Sequence, residues 1–439
     1  MLYVGALLIL VLQFLRPQEF VAGIEGDPVV FYVMLLLLPP WLFTLTKKKL
    51  FRTPIDYCML FFYLMCIASY WHYKKTEFYV PAQVFGKTFL IYLFVTHVVD
   101  TRRRLSGAIW TIMLLLVVIA FMAETATEGT EKGTYISKGA FNDRNDFGAA
   151  MATIIPFALV FLLKGKAAAK ALALFVIAVA VHGVVMSDSR GAQLACIGGV
   201  GVTVYLLGAS KRSRRTAIIA AVLFLVLAIG ASTRLGSVMK YSEDRSAMGR
   251  IQAWDTVLAS FPSYPIFGRG YSKFKSWMPG QLDTHSSYMR ALAELGLPGL
   301  ICYLGVLFFA CCQGYRLTRA ETTPNRAIRV LAIGSLGALS VHCIASLFLT
   351  RLYYPFVLVQ IGLISSLWII ADKERRLSEG GEPAVGEELY EERNLWVASR
   401  GMGFATKKLV SGKDVLKIAG IAVICIVSYK IMVLISPSP

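Results

Sequence analysis

The sequence predicts an all-α polytopic membrane protein with about twelve transmembrane helices. Three observations carry this: 56 % of its 439 residues are hydrophobic, only 16 % are charged, and the mean hydropathy is +0.61. Soluble domains are nearer a quarter charged, so an ordinary soluble enzyme is excluded. A disordered chain is excluded too, because 26 Phe and 20 Tyr stand among long Leu, Val, Ile and Ala runs. A formal net charge of +18 would suggest nucleic acid in a soluble chain. Here the basic residues form short clusters between apolar runs, as in proteins that use them to fix orientation in a bilayer. No nucleic-acid partner is expected; membrane lipids are.

A helix needs roughly 20 mostly apolar residues to cross the hydrocarbon core. Such runs stand near 1–15, 29–46, 55–71, 84–99, 107–123, 147–163, 168–186, 192–208, 215–231, 294–314, 327–349 and 355–371, with a candidate thirteenth at 416–435. The first lacks a basic n-region and a small-residue cleavage site, so it reads as a retained helix. The loops KKKLFR at 47–52, DTRRR at 100–104, KGKAAAK at 164–170, SKRSRR at 210–215 and YRLTRAETTPNRAIR at 315–329 hold 18 Lys/Arg. The alternate short loops hold 8. The positive-inside rule therefore puts the first set and the N-terminus in the cytoplasm. The division that follows is a transmembrane domain at 1–371, a cytoplasmic linker at 372–415 and a hydrophobic tail at 416–439.

The longest outer segment, 232–293, is too rich in Trp, Tyr, Phe and Ile to be a disordered connection. From Gly249 the apolar residues Ile251, Trp254, Val257 or Leu258, and Phe261 recur at helical spacing, which predicts an amphipathic helix on the membrane surface ending near Pro262. Arg250 and Trp254 share one of its faces. Pro265, Gly268 and Gly270 then turn the chain. His285 precedes the next helix, with Thr284 as a candidate cap and Asp283 beside it. Arg190 sits in the tight turn SDSRGA, and Asn142 to Asp146 precede the sixth span as candidate caps. An arginine on an interfacial helix ordinarily contacts lipid phosphate, and a histidine at a helix start is ordinarily structural. Positive charge is disfavoured on this side, however. Arg190, Arg250, Arg269, Lys273, Lys275, Arg290 and Arg351 together therefore point to an anionic ligand.

His72, His97, His182 and His342 lie in or beside apolar runs and read as core or interface residues. All eight cysteines lie in apolar runs, so no disulfide framework or thiolate metal site is implied. No P-loop, GxGxxG, HExxH or Asp-x-Asp motif occurs, and no cofactor or metal is expected.

Arg250-x3-Trp254, then Pro265-Ile266-Phe267-Gly268-x-Gly270-Tyr271-x2-Phe274, then His285-Ser286-x-Tyr288-x5-Glu294-Leu295-Gly296-x2-Gly299, resemble a shared signature. It is that of bacterial O-antigen ligases, O-antigen polymerases and protein O-oligosaccharyltransferases. Ser189-Arg190-Gly191 resembles the family's upstream arginine motif, and Asn145 an asparagine before an earlier span. Arg269 departs from the pattern, where an aliphatic residue is commoner, and so does the hydrophobic tail. The resemblance implies a fold like that of the C-type membrane glycosyltransferases and an active site in the periplasmic loop of an inner-membrane enzyme. It implies metal- and ATP-independent, inverting transfer of a glycan from undecaprenyl diphosphate. The acceptor is the lipid A-core oligosaccharide in the ligase branch, a growing glycan or a protein hydroxyl in the others. On this reading His285 is the general base or orients the acceptor. Arg190 and Arg250, with Arg269 and Arg290 in support, clamp the diphosphate. Trp254, Tyr271 and Tyr288 position the acceptor or the loop. A lipid-linked anion transporter is the rival from another class, but carboxylates are essentially absent from the span centres.

Overall fold

The computed structural model describes residues 1–20, 28–45, 49–77, 79–126, 133–135, 140–141, 143–208, 245–278, 280 and 283–378. Their helices are α1 Leu2–Leu15, α2 Val29–Leu45, α3 Pro54–Tyr73, α4 Tyr79–Val98, α5 Arg102–Phe121, α6 Arg144–Lys164, α7 Ala167–Met186 and α8 Arg190–Leu207. After the segment that is not described come α9 Arg245–Ser260, the single turn α10 Phe274–Trp277, α11 Ser287–Leu317, α12 Arg326–Phe348 and α13 Pro355–Ser378. A two-stranded hairpin, β1 Glu124–Ala126 with β2 Gly133–Tyr135, is the one sheet among the described residues. Among the described residues ten helical stretches are long and apolar enough to cross a bilayer, α1 counting together with the turn after it as Leu2–Glu19, and α2 is a shorter apolar helix. The chain is an all-α polytopic membrane protein. The expected spans at 215–231 and 416–435, and most of the linker and tail, lie outside the described residues.

Polar caps fix where these apolar helices begin. Thr53 and Asp56 form a reciprocal capping box on α3, Asp143 accepts from the backbone N–H of Asn145 and Asp146 at α6, and Ser189 caps α8. At α11 the cap is Ser286 rather than the expected Thr284, whose hydroxyl faces Ser286 and Thr350 instead. The helix therefore starts at Ser287, well before the apolar run near 294.

Small residues let the central helices touch. A Cβ on Gly199 of α8 would lie 2.8 Å from the Gly337 carbonyl of α12, and one on Gly337 would lie 3.2 Å from the Gly199 carbonyl. Such close approach is how membrane helices gain packing where no hydrophobic force separates them from lipid. The amphipathic helix α9 behaves differently from expectation. Ala253 and Val257 are buried in the protein core, and Trp254, Leu258 and Phe261 pack against it. Its apolar face is turned to the bundle, not only to lipid.

Candidate active site

The signature residues divide into a joint and a turn. The joint begins with Glu294, fully buried in α11. Its carboxylate accepts the backbone N–H groups of Ser272 and Phe274 (3.0 Å each), the Tyr353 hydroxyl (2.8 Å) and Arg290 Nη1 (3.0 Å). Just beyond it α11 breaks at Gly296, whose φ of 71° and ψ of −171° only glycine adopts readily. The broken helix needs partners for its backbone, and the loop supplies them: Arg269 N donates to Ala293 O (2.9 Å), Gly270 N to Glu294 O (3.2 Å) and Leu297 N to Pro265 O (2.8 Å). Gly268, at φ +64°, lies so close that a Cβ would sit 2.4 Å from the Glu294 carbonyl. The Pro-x-Phe-Gly-x-Gly-Tyr and Glu-Leu-Gly segments are thus two halves of one docking joint.

The turn carries His285. Its φ of 43° is left-handed, held because its N–H donates to Asp283 Oδ1 (3.2 Å). The same oxygen accepts Arg290 Nη2 (2.5 Å) and the Thr350 hydroxyl (2.9 Å), and Lys275 lies 3.5 Å from the other carboxylate oxygen. The cations around Asp283, Arg290 foremost, hold its carboxyl well below the usual carboxylate range even though burial opposes this. The imidazole of His285 makes no hydrogen bond to the described residues. Burial first, and the Arg250 charge second, hold it below the ordinary histidine range, while Asp283 and Asp143 pull the other way. Its protonated form is thus disfavoured, which leaves nitrogen lone-pair capacity for a proton.

The other expected residues are placed as follows. Arg250 lies close enough for its charge to act on His285, and Trp254, one turn on in α9, donates from Nε1 to Thr284 O (2.6 Å). Arg190 opens α8 at the same end of the bundle: a Cβ on Gly191 would lie 3.0 Å from Phe348, two residues before Thr350. Arg290 is buried between two carboxylates, Asp283 and Glu294, so its charge is met within the protein. Arg269 stacks over Tyr264 and Trp277, with its guanidinium carbon 5.0 and 4.1 Å from the ring centres. Tyr271 is buried against Tyr353 (4.5 Å between rings), and the Tyr288 hydroxyl donates to Cys343 O (2.9 Å). Asn145 lies at the α6 cap; its N–H donates to Asp143.

The hub role of Asp283 and the anchoring role of Glu294 were missed. Both left a signal: Arg290 and Glu294 are four apart on one helix, and Asp283 stands two before the histidine. Thr350 was also unassigned, and Arg351, expected among the cations facing an anionic ligand, is instead buried, with its Nε 3.3 Å from Asp146 Oδ1 and its backbone N–H donating to Ser287 Oγ (2.8 Å). Arg351 thereby ties the α12–α13 turn to the starts of α6 and α11. Of the other histidines, His97 and His342 are buried and hydrogen-bonded and His72 stacks on Phe267, whereas His182 is exposed. No group of His, Cys, Asp or Glu suited to hold a metal ion occurs among the described residues.

No curated protein matches the chain. Residues 173–304, under a third of this multi-pass membrane chain, run from α7 through the His285 turn into α11 and are similar to the family model described as O-antigen ligase.

Proposed function

We propose that the chain is an O-antigen ligase that moves a glycan from undecaprenyl diphosphate to the lipid A-core oligosaccharide at the periplasmic face of the bacterial inner membrane. The observation that carries this is the His285 imidazole, held on a left-handed turn by Asp283, with burial and the Arg250 charge disfavouring its protonation. The family match supports a membrane glycosyltransferase in general.

In the reaction an acceptor hydroxyl attacks the anomeric carbon of the donor sugar. Its proton passes to His285, the new C–O bond forms, and the bond to the diphosphate oxygen breaks with inversion. The departing lipid diphosphate carries its own driving force, so the protein must chiefly stabilise charge on the leaving oxygens. Arg250 and Arg190 are assigned that task, because a guanidinium forks onto phosphate oxygens. Donors of this kind are worth ~3–4 kcal/mol each in known sites. Arg290 is assigned a positioning role, since Asp283 and Glu294 already engage it. Trp254 fixes the His285 turn through Thr284 O, and Tyr271 and Tyr288 brace the loop and α11. Arg269 is held flat on aromatic rings and is kept as an outer contact for the donor.

The test is transfer by the purified protein from an undecaprenyl-diphosphate-linked glycan to lipid A-core, with EDTA and without ATP. Glycan on lipid A-core is expected. Lengthening of the donor, or modification of a protein acceptor instead, would move the chain to the polymerase or protein O-oligosaccharyltransferase branch.

A further inference from the structure

The end of the bundle opposite His285 holds a cavity of about 960 Å³ between the starts of α5 and α12 and the ends of α6 and α13. Val160, Phe161, Val330, Leu331 and Ile370 give it an apolar wall. Five cations, Arg102, Arg103, Lys164, Arg326 and Lys373, line it against two acids, Asp100 and Glu374. Both acids are already engaged: Asp100 by Arg104 (2.6 Å), and Glu374 by Arg102 (2.7 Å) and Asn325 (2.7 Å). Arg103, Lys164, Arg326 and Lys373 are exposed and have no acidic partner among the described residues.

The helix ends sharpen the imbalance. A helix start carries partial positive charge and favours acidic residues in its first turn. Neither α5 nor α12 has one there; both instead begin with arginine, Arg102 and Arg326. Like charge is thus stacked on two positive helix ends beside cations that have no acidic partner among the described residues, an arrangement that favours an anion. The apolar wall rules against a purely water-borne anion as the fitted occupant, and the volume suits a headgroup with the first carbons of its chains. A zwitterionic headgroup would bring its own ammonium into this field.

We propose that the cavity binds an anionic bilayer phospholipid, with its phosphate held by Arg103, Lys164, Arg326 and Lys373 and its upper acyl carbons against Phe161, Leu331 and Ile370. Basic residues near a membrane surface each contribute ~1 kcal/mol towards anionic lipid, so removing three should weaken binding by tenfold or more.

The experiment titrates the detergent-purified full chain with phosphatidylglycerol or with phosphatidylcholine of the same chains, reading the thermal unfolding midpoint. A cavity triple variant, Lys164→Gln/Arg326→Gln/Lys373→Gln, is compared with Lys166→Gln/Lys170→Gln/Arg319→Gln, which removes three cations from the same end outside the cavity. Phosphatidylglycerol should stabilise the wild type and the second triple more than phosphatidylcholine does. In the cavity triple its half-saturating concentration should rise at least about tenfold. Ala327→Trp, which obstructs the cavity without changing charge, should also abolish the preference. Equal responses of the two triples would overturn the proposal by showing diffuse attraction. So would an unchanged response in Ala327→Trp, or soluble glycerol 3-phosphate reproducing the full effect.

Discussion

His285 occupies a backbone region that costs a non-glycine residue about 1–3 kcal/mol, and Asp283 is what holds it there. One carboxylate oxygen thus sets the turn, receives Arg290 and Thr350, and acts on the imidazole by its charge. Replacing His285 by Ala should lower the transfer rate about 10²–10⁴-fold with little change in the unfolding midpoint, the range expected of a general base. Asp283→Asn should cut the rate about 10–100-fold, the equivalent of losing hydrogen bonds to a charged group. Its pH dependence should also move in a defined direction. Asp283 raises the His285 pKa, so removing its charge lowers that pKa further and shifts the acid limb of the rate profile to lower pH. A limb that stays in place in Asp283→Asn would show that the histidine is not the group titrating.

The joint between α11 and the 265–274 loop is an element-scale device, because its strength lies in backbone groups brought into register by two glycines and one buried carboxylate. Gly296→Ala would place a Cβ about 2.5 Å from the Ile266 carbonyl on a backbone that L-residues avoid. It should destabilise the protein by at least ~2 kcal/mol, read as a lower unfolding midpoint in detergent. Glu294→Gln should cost about 3 kcal/mol, because it removes one charge of a buried pair and weakens four hydrogen bonds. Unchanged unfolding in both variants would refute the joint. Parts of this element were legible in the sequence. Pro265, Gly268 and Gly270 announce turns, and the run from Ser286 to Gly296 announces a helix. The break inside α11 was not legible, since Gly296 and Pro298 lie within an otherwise continuous apolar run and are stabilised by a loop nearly thirty residues upstream. For the same reason Arg290 read as a free phosphate contact: nothing local shows that Asp283 and Glu294 both turn towards it.

At the scale of the molecule, chemistry is segregated to the two ends of the bundle. Asp143–Asp146, Ser187–Gly191, Asp283–Arg290 and Thr350–Arg351 meet at one end, while the Arg102–Glu374 and Arg104–Asp100 pairs mark the other. Hydrophobic run length made the spans legible, because a bilayer imposes the same length requirement on every one. Loop charge predicted which ends belong together. What run length does not encode is which helix faces pack: α9 reads as facing lipid, yet Val257 on its apolar stripe and Ala253 beside it are buried in the core. The orientation proposed here predicts that, in cells with a permeabilised outer membrane, a membrane-impermeant maleimide labels Lys275→Cys and not Lys373→Cys. The reverse labelling would invert the topology.

A His285 whose protonation is disfavoured by burial and by the Arg250 charge is the central claim, and the pH dependence of glycan transfer by wild type, His285→Ala and Arg250→Gln tests it most directly. Wild-type transfer should keep its acid limb below the ordinary histidine value of about 6.5. Arg250→Gln, slower overall, should move that limb to higher pH, because loss of the positive charge lets the imidazole bind a proton more readily. His285→Ala should abolish the limb along with most of the activity. Full activity in His285→Ala, or superimposable limbs for wild type and Arg250→Gln, would contradict the account.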